Sequence, residues 1–203
     1  MDFTLQGADP RFLHLKRRLV ADGHRLVPDG GLVIAPPAEG RGVPYARDPV
    51  YAVKNAALTA EGAAELLMRR SDRALADMRV LVAGYGRIGR LLARKLSTLG
   101  ARVTVAARDP ADRAEAEVRG YEAVGFDRIP ADFSAVINTV PAPVLRGDYG
   151  AEHLIDLASA PGGWADGAAV LRAPGLPGVY APAAAADIMA EAVYRVLKED
   201  DHG

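Results

Sequence analysis

The apolar residues from Met78 onward alternate between short continuous runs and segments with helical spacing. A continuous run indicates a buried strand, and apolar residues three and four positions apart indicate a helix with one buried face. The alternating segments are Val80–Ala83, Ile88–Leu99, Val103–Ala107, Pro110–Arg119, Ala135–Val140, His153–Ala158 and a last helix from about Pro182 to Lys198. This alternation predicts an α/β fold with a doubly wound parallel sheet.

The first 58 residues show a different pattern, with short strands around a single helix. The predicted elements are strands at Phe3–Gln6, near Leu26 and at Leu32–Ala35, and a helix at Arg11–Ala21. A lobe this small buries little surface, so we expect it to depend on the larger domain or on a partner chain. We predict two domains: a truncated α/β lobe at 1–58, and a larger domain at 59–203. The larger domain would include a linking helix from Thr59 to about Leu75, capped by Thr59, and the C-terminal helix.

Composition narrows the class of ligand. The chain has 203 residues, a net charge of -1 and no basic run, which argues against binding to nucleic acid or to an anionic membrane. It has no cysteine, so disulfides and thiolate metal sites are excluded, and no metal site is predicted. No apolar stretch approaches the ~18 residues of a membrane span, and the N-terminus lacks the pattern of a signal peptide. We therefore expect a cytoplasmic protein that binds a small molecule.

A glycine-rich turn lies between the first strand and the first helix of the larger domain. It follows the pattern G-x-G-x-x-G and consists of Gly84, Tyr85, Gly86, Arg87, Ile88 and Gly89. In this context the first glycine permits the tight turn, the second lets a pyrophosphate approach the backbone, and the third lets the helix pack closely on the strand. Free amides and the helix dipole then stabilise the phosphates. The turn therefore predicts a Rossmann domain that binds a nicotinamide dinucleotide.

The end of the second strand bears on which dinucleotide is bound. An acidic residue here would hold the ribose 2′-hydroxyl of NAD. Asp109 has the right spacing, but Pro110 follows it, so we interpret Asp109 as a helix N-cap with proline at the first helical position. The strand then ends at Ala107 and Arg108, and the arginine is suited to a 2′-phosphate. We predict NADP rather than NAD, with Arg87 as a second phosphate contact; the alternative is that both arginines are ordinary surface residues.

Other cofactor contacts are expected where later strands end. They are Asn138, Thr139, Val140 and Pro141 after the fourth strand, Ala158 after the fifth, and Gly175, Leu176 and Pro177 in a later turn. Asn138 and Thr139 either bond the nicotinamide ribose or cap a turn. Asp156 lies in an apolar strand, so it must accept hydrogen bonds from backbone amides or from a ribose.

The sequences of several segments resemble those of the A-subunit family of the dipicolinate synthases. These segments are YAVKNAALTAEG, GYGRIGR, VTVAARD, INTVPAPVL, LIDLASAPGG and APGLPGVYAP, between about Asp48 and Leu197. The resemblance implies an NADP-dependent oxidation of dihydrodipicolinate to dipicolinate, the aromatic diacid of sporulating bacteria. It also implies a flavoprotein-like partner, the second subunit of the synthase, and a homo- or hetero-oligomer. A more distant likeness extends to the NAD-binding domains of 2-hydroxyacid dehydrogenases.

The segment VKNAALTAEG corresponds to one that the family carries before the linking helix. It suggests Asn55 and Thr59 as donors to a substrate carboxylate, Lys54 as a charge partner, and Glu61 as the group that takes a proton. The alternative makes Thr59 an N-cap and Glu61 a carboxylate that faces the helix dipole.

The segment LASAPGG offers a second place for a dicarboxylate. Ser159, Gly162 and Gly163 form either a nest of donors for the anion or an ordinary turn. We predict catalytic roles for Asn55, Glu61 and Ser159.

The chain departs from the family in one respect, because family members carry a longer N-terminal lobe. Two other functions therefore stay open. One is a non-catalytic NAD(P)-binding subunit that acts as a scaffold or sensor. The other is a related Rossmann dehydrogenase that acts on another small keto or hydroxy acid.

Overall fold

A computed structural model describes residues 1–200, so the last three residues of the predicted larger domain lie outside the described part. The chain divides into two compact units. The small unit contains residues 1–58 and the chain from Pro177 onward, and the larger unit contains Thr59–Leu176.

The small unit is built on a three-stranded parallel sheet in the order β2-β1-β3. Its elements are β1 (Asp2–Leu5), α1 (Phe12–Ala21), β2 (Arg25–Leu26), β3 (Leu32–Ile34) and the first part of α2 (Pro49–Arg70). The C-terminal helix, Pro182–Asp200, also belongs to this unit, whereas we expected it in the larger domain. The reason is apolar packing, because Met189 and Val193 of this helix share one buried cluster with Phe3 and Leu15.

The linking helix begins ten residues earlier than expected. We predicted that it starts at Thr59, but α2 runs from Pro49 to Arg70 and Thr59 lies buried inside it. The N-cap is Asp48, whose Oδ1 accepts hydrogen bonds from the amides of Val50 at 2.6 Å and Tyr51 at 2.9 Å. The Asp48-Pro49 pair is the same capping signal that we identified at Asp109-Pro110.

The larger unit confirms the predicted α/β fold, with six parallel strands in the order β6-β5-β4-β7-β8-β9. Its elements are β4 (Arg79–Ala83), α3 (Arg87–Thr98), β5 (Arg102–Ala106), α4 (Pro110–Val118), β6 (Glu122–Val124), β7 (Ala135–Asn138), β8 (His153–Asp156) and β9 (Leu171–Arg172). Two further helices follow in the chain: the short α5 (Leu176–Tyr180), and α6, the C-terminal helix of the small unit.

Alternate residues of β4 pack on opposite faces of this sheet, as expected for a buried strand. Val80 and Val82 join the cluster that contains Leu92 of α3, while Leu81 joins a second cluster with Val136. The sheet is therefore covered by apolar side chains on both faces, as in parallel sheets generally. No helix among residues 1–200 is long and apolar enough to cross a membrane.

Candidate dinucleotide-binding site

A groove of about 560 Å³ lies in the larger unit at the carboxyl ends of β4, β5 and β7. This edge is where open α/β sheets bind their ligands. It brings together ten of the residues predicted to contact the cofactor: Gly84, Tyr85, Gly86, Arg87, Ile88, Ala107, Arg108, Thr139, Val140 and Pro141.

The three glycines of the turn have different surroundings, and each fits its expected part. Gly84 has φ +97°, a conformation that residues with a side chain rarely adopt. A Cβ on Gly89 would lie 2.1 Å from the carbonyl oxygen of Gly84, so only glycine lets α3 begin this close to β4. A Cβ on Gly86 would meet no atom within 4 Å. The space beside Gly86 is therefore open to a ligand.

The first residues of α3, Arg87 and Ile88, line the groove. The first amides of a helix have no partner within the helix, and they carry the positive end of its dipole. The side chain of Tyr85 does not occupy this space, because it is buried in the core cluster and the Arg90 guanidinium lies 5.2 Å from its ring centroid. Burial raises the pKa of Tyr85, so the phenol stays neutral.

The turn from β5 to α4 has the predicted cap. The Asp109 carboxylate accepts a hydrogen bond from the amide of Ala111 at 2.9 Å, and Pro110 is the first helical residue. Asp109 is thereby engaged in capping, and Arg108 is exposed at the rim of the groove. The Arg113 guanidinium donates to the carbonyl oxygens of Ala107 at 2.8 Å and Arg108 at 2.7 Å, and so ties the turn to the helix.

Several groove residues were not identified from the sequence: Asp112, Phe126, Ala142 and Val144. Asp112 is the charged residue among these four, and its Oδ1 lies 2.8 Å from Nη2 of Arg90. Phe126 follows the short strand β6, which the sequence pattern did not reveal, so nothing in the sequence placed its ring at this edge.

Asn138 and Asp156 form a buried pair beside the groove. The Asn138 amide donates to Asp156 Oδ1 at 2.8 Å and to the Val140 carbonyl oxygen at 2.9 Å, and its own oxygen accepts from the Val140 amide. Asn138 is fully buried and both ends of its side chain are satisfied, so the expected bond to a ribose is not supported. Thr139 lines the groove, but its hydroxyl donates to the Ala83 carbonyl oxygen at 2.9 Å.

Asp156 uses backbone amides as partners, which is one of the two roles expected for it. It accepts from the amides of Ala158 at 3.0 Å and Gly163 at 2.9 Å. Arg172 lies 3.4 Å from the same carboxylate. The predicted contact of Ala158 with a cofactor is therefore not supported, because its amide bonds this carboxylate.

The predicted nest of donors is an internal turn. The Gly162 amide donates to the Ser159 carbonyl oxygen at 2.9 Å, and the Gly163 amide donates to Asp156. A Cβ on Gly162 would lie 2.1 Å from the Arg172 guanidinium, and one on Gly163 would lie 2.3 Å from the Asn138 amide. Both glycines are thus required for packing, and neither amide is available to a substrate. Ser159 is exposed and does not line the groove.

The predicted substrate-binding and catalytic residues on α2 also make contacts elsewhere in the chain. Lys54 pairs with Glu191 at 2.6 Å within the small unit. Glu61 pairs with Lys95, which lies in the last turn of α3, at the opposite end of that helix from the glycine turn. Thr59 is buried and Asn55 is half-buried, and both make further contacts within the chain. None of the four residues lines the groove, which does not support the expected role of Glu61 as a base.

The later turn does not contribute to the groove either. Gly175 has φ +72° and is exposed, and Leu176 is buried in the core cluster of the larger unit. Pro177 begins the second segment of the small unit and is buried. Among residues 1–200 there is also no group of three or more histidine, aspartate or glutamate side chains that could hold a metal ion.

The comparison with protein families identifies the larger unit's type of domain. Residues 53–155 match the model of the NAD binding domain of D-isomer specific 2-hydroxyacid dehydrogenases. This match covers α2 from residue 53 onward, the glycine turn and the strands that form the groove.

Individual relatives confirm the resemblance predicted from the motifs. The chain is 34% identical over 169 residues to the dipicolinate synthase A-subunit of Bacillus subtilis (strain 168), which is 76% of this chain and 57% of that protein. The crystal structure of the same Bacillus subtilis synthase component matches with a TM-score of 0.71 at 28% identity, over 98% of this chain and 66% of that one. The A-subunit from Bacillus halodurans matches with a TM-score of 0.80 at 23% identity, over 96% and 97% of the two chains. The chain thus spans little more than half of the Bacillus subtilis protein that it matches in sequence.

Proposed function

Because this chain belongs to the family of NAD binding domains of D-isomer specific 2-hydroxyacid dehydrogenases, we propose that it is an oxidoreductase that binds NADP(H) in the groove beside the glycine turn. The observation that carries the proposal is the geometry of that turn. Gly84 and Gly89 are required by the backbone, while the space beside Gly86 is open to a diphosphate next to the first amides of α3.

The preference for NADP follows from the charges at the end of β5. The carboxylates at this end are engaged through one oxygen each, since Asp109 Oδ1 caps α4 and Asp112 Oδ1 pairs with Arg90. Arg108 is exposed at the rim of the groove, and Arg87 is exposed at the start of α3. A guanidinium binds a phosphate with a planar fork of donors and keeps its charge at any physiological pH.

The proposed reaction is the one named by the relatives, the formation of dipicolinate. Dihydrodipicolinate would transfer a hydride from a ring carbon to NADP⁺ and lose one proton, giving dipicolinate and NADPH. Aromatisation supplies driving force, so positioning of the ring contributes more than acid–base catalysis. We propose a flavoprotein-like partner, the second subunit of a homo- or hetero-oligomer, because the matching relatives are named as one subunit of a synthase.

Fluorescence titration with NADPH and NADH tests the coenzyme. We expect NADPH to bind at least tenfold more tightly, about 1.4 kcal/mol, and Arg108→Asp to reverse the preference. Arg128→Ala is the matched control, because Arg128 is exposed and outside the groove. Tighter binding of NADH by the wild-type protein would overturn the NADP assignment.

A second candidate function is a coenzyme-binding subunit without turnover. The observation that favours it is the position of Asn55, Glu61 and Ser159, since none of these residues lines the groove. Absorbance at 340 nm distinguishes the two functions when dihydrodipicolinate and NADP⁺ are mixed with the protein, alone and with a partner subunit. Production of NADPH supports the oxidoreductase, and tight NADPH binding without turnover in either mixture supports the second candidate.

A further inference from the structure

The small unit has its own topological switch point. In the order β2-β1-β3, the chain leaves β1 toward one side and returns to the other, so the connections diverge at the carboxyl ends of β1 and β3. Ligands of open α/β sheets bind at such a point. Asp9 and Arg11 follow β1, and Tyr45 follows β3. Tyr45 is buried and the other two are half-buried, and none of the three lines the dinucleotide groove.

The Arg11 guanidinium donates hydrogen bonds to Asp9 and Tyr51 and has N–H groups left over. Asp9 accepts from Nε at 2.8 Å and from Nη2 at 2.5 Å, and the Tyr51 hydroxyl accepts from Nη1 at 2.8 Å. A guanidinium has five N–H groups. These bonds use three of them, and two N–H groups remain on the side of Tyr45. The side chain is 13% exposed.

The Tyr45 hydroxyl is the second observation at this point. Tyr45 is only 1% exposed and its hydroxyl has no hydrogen-bond partner within residues 1–200, a costly state for a buried polar group. Its ring packs edge-on against Tyr51 with centroids 5.3 Å apart. Arg11 bonds the hydroxyl of the same Tyr51 whose ring contacts Tyr45. Burial raises the pKa of Tyr45, and the charge of Arg11 and a polar contact from it lower that pKa only in part, so the hydroxyl stays protonated. It is therefore a donor in need of an acceptor.

We propose that Arg11 and Tyr45 form a binding site for a carboxylate group of a small organic acid. One further guanidinium N–H group and the Tyr45 hydroxyl give two donors, which suits the two oxygens of a carboxylate. Asp9 already balances the charge of Arg11, so a singly charged group fits better than a phosphate. Tyr45, though not Arg11, lines a cavity of about 490 Å³, which offers room for the rest of the acid. The inference rests on the proposed function and names where its dicarboxylate is recognised.

Calorimetric titration with dipicolinate tests the site, with 2,6-dimethylpyridine as the same ring without carboxylates. We expect the wild-type chain to bind dipicolinate and not dimethylpyridine, and Tyr45→Phe to weaken dipicolinate binding at least tenfold. A purely structural role gives another result, because removal of a buried unsatisfied hydroxyl leaves the melting temperature unchanged or raises it and has no effect on binding. Tyr121→Phe, in the larger unit, is the matched control and should bind as the wild type does.

Arg11→Gln provides a second variant, and Arg17→Gln is its control on the exposed side of the same helix. We expect Arg11→Gln to lose dipicolinate binding, and to unfold more readily because it leaves Asp9 without its partner. Each sample is also titrated with NADPH, whose affinity should not change. Equal dipicolinate affinity in the wild type and Tyr45→Phe would overturn the site and leave the proposed function standing. NADPH binding without any dipicolinate binding would overturn both the site and the proposed substrate.

Discussion

At the scale of single residues, the two glycines at the start of α3 have different roles. Gly89 is needed for folding, and we expect Gly86 to be needed for coenzyme binding. A Cβ on Gly89 would overlap the Gly84 backbone, whereas a Cβ on Gly86 would enter open space. Gly89→Ala should therefore lose both stability, by about 1–3 kcal/mol, and NADPH affinity. Gly86→Ala should keep its melting temperature and lose at least tenfold in NADPH affinity. Thermal melts and titrations of the two variants check this, and equal melting temperatures would contradict it.

At the scale of elements, the start of α2 depends on Asp48. Burial raises the pKa of this carboxyl, but hydrogen bonds from the Tyr51 amide, from Arg195 at 2.5 Å and from the Val50 amide outweigh it and hold the pKa below its usual value. A lowered folded-state pKa gives stability that is present above the unfolded value of about 3.9 and is lost as the pH falls through the folded value.

Asp48→Ala should accordingly reduce the free energy of unfolding at pH 7 by about 2 kcal/mol, through loss of the cap and of the bond to Arg195. The difference from the wild type should shrink toward pH 3, where the wild-type carboxylate itself becomes protonated. Urea denaturation at both pH values measures this. Asp29→Ala is the control, since Asp29 is exposed, and a difference that does not change with pH would refute the account.

The turn between β5 and α4 is a second element whose shape depends on one side chain. Arg113 bonds the carbonyl oxygens of Ala107 and Arg108, so Arg113→Ala should loosen the turn that presents Arg108. We expect about a tenfold loss of NADPH affinity and a smaller loss for NADH. If Arg113 acts through Arg108, the double variant with Arg108→Ala should bind NADPH no more weakly than Arg108→Ala alone. Additive losses would show a direct contact instead, and Arg119→Ala, at the far end of α4, is the control.

At the scale of the whole molecule, each unit has an apolar core of its own. A ligand stabilises most strongly the parts whose opening abolishes its site. Saturation with NADPH should therefore slow amide hydrogen exchange in β4 and α3, and leave exchange in β1 and α1 nearly unchanged. Mass spectrometry of peptides from the two units measures this. Comparable protection of α1 would contradict coenzyme binding confined to the larger unit.

The candidate site was predictable wherever its chemistry is local in sequence. The glycine turn, the cap at Asp109 and the exposed Arg108 each follow from residues within a few positions of one another. Asp48-Pro49 carried the same local signal, and it was missed because Thr59 offered a competing cap. The short strands β6 and β9 have two or three residues, too few to show a period.

Sequence alone determined the α/β class, the glycine turn and the family, because strand and helix periodicity and the conformational needs of glycine are properties of neighbouring residues. Tertiary structure alone decided which polar groups are free. Strand pairing sets Asn138 beside Asp156, and the loop after β8 folds back so that Gly163 bonds that carboxylate. Asn138 lies 18 residues from Asp156 and Gly163 lies seven residues from it, beyond the reach of local pattern, so their hydrogen bonds consume donors that the sequence presents as available.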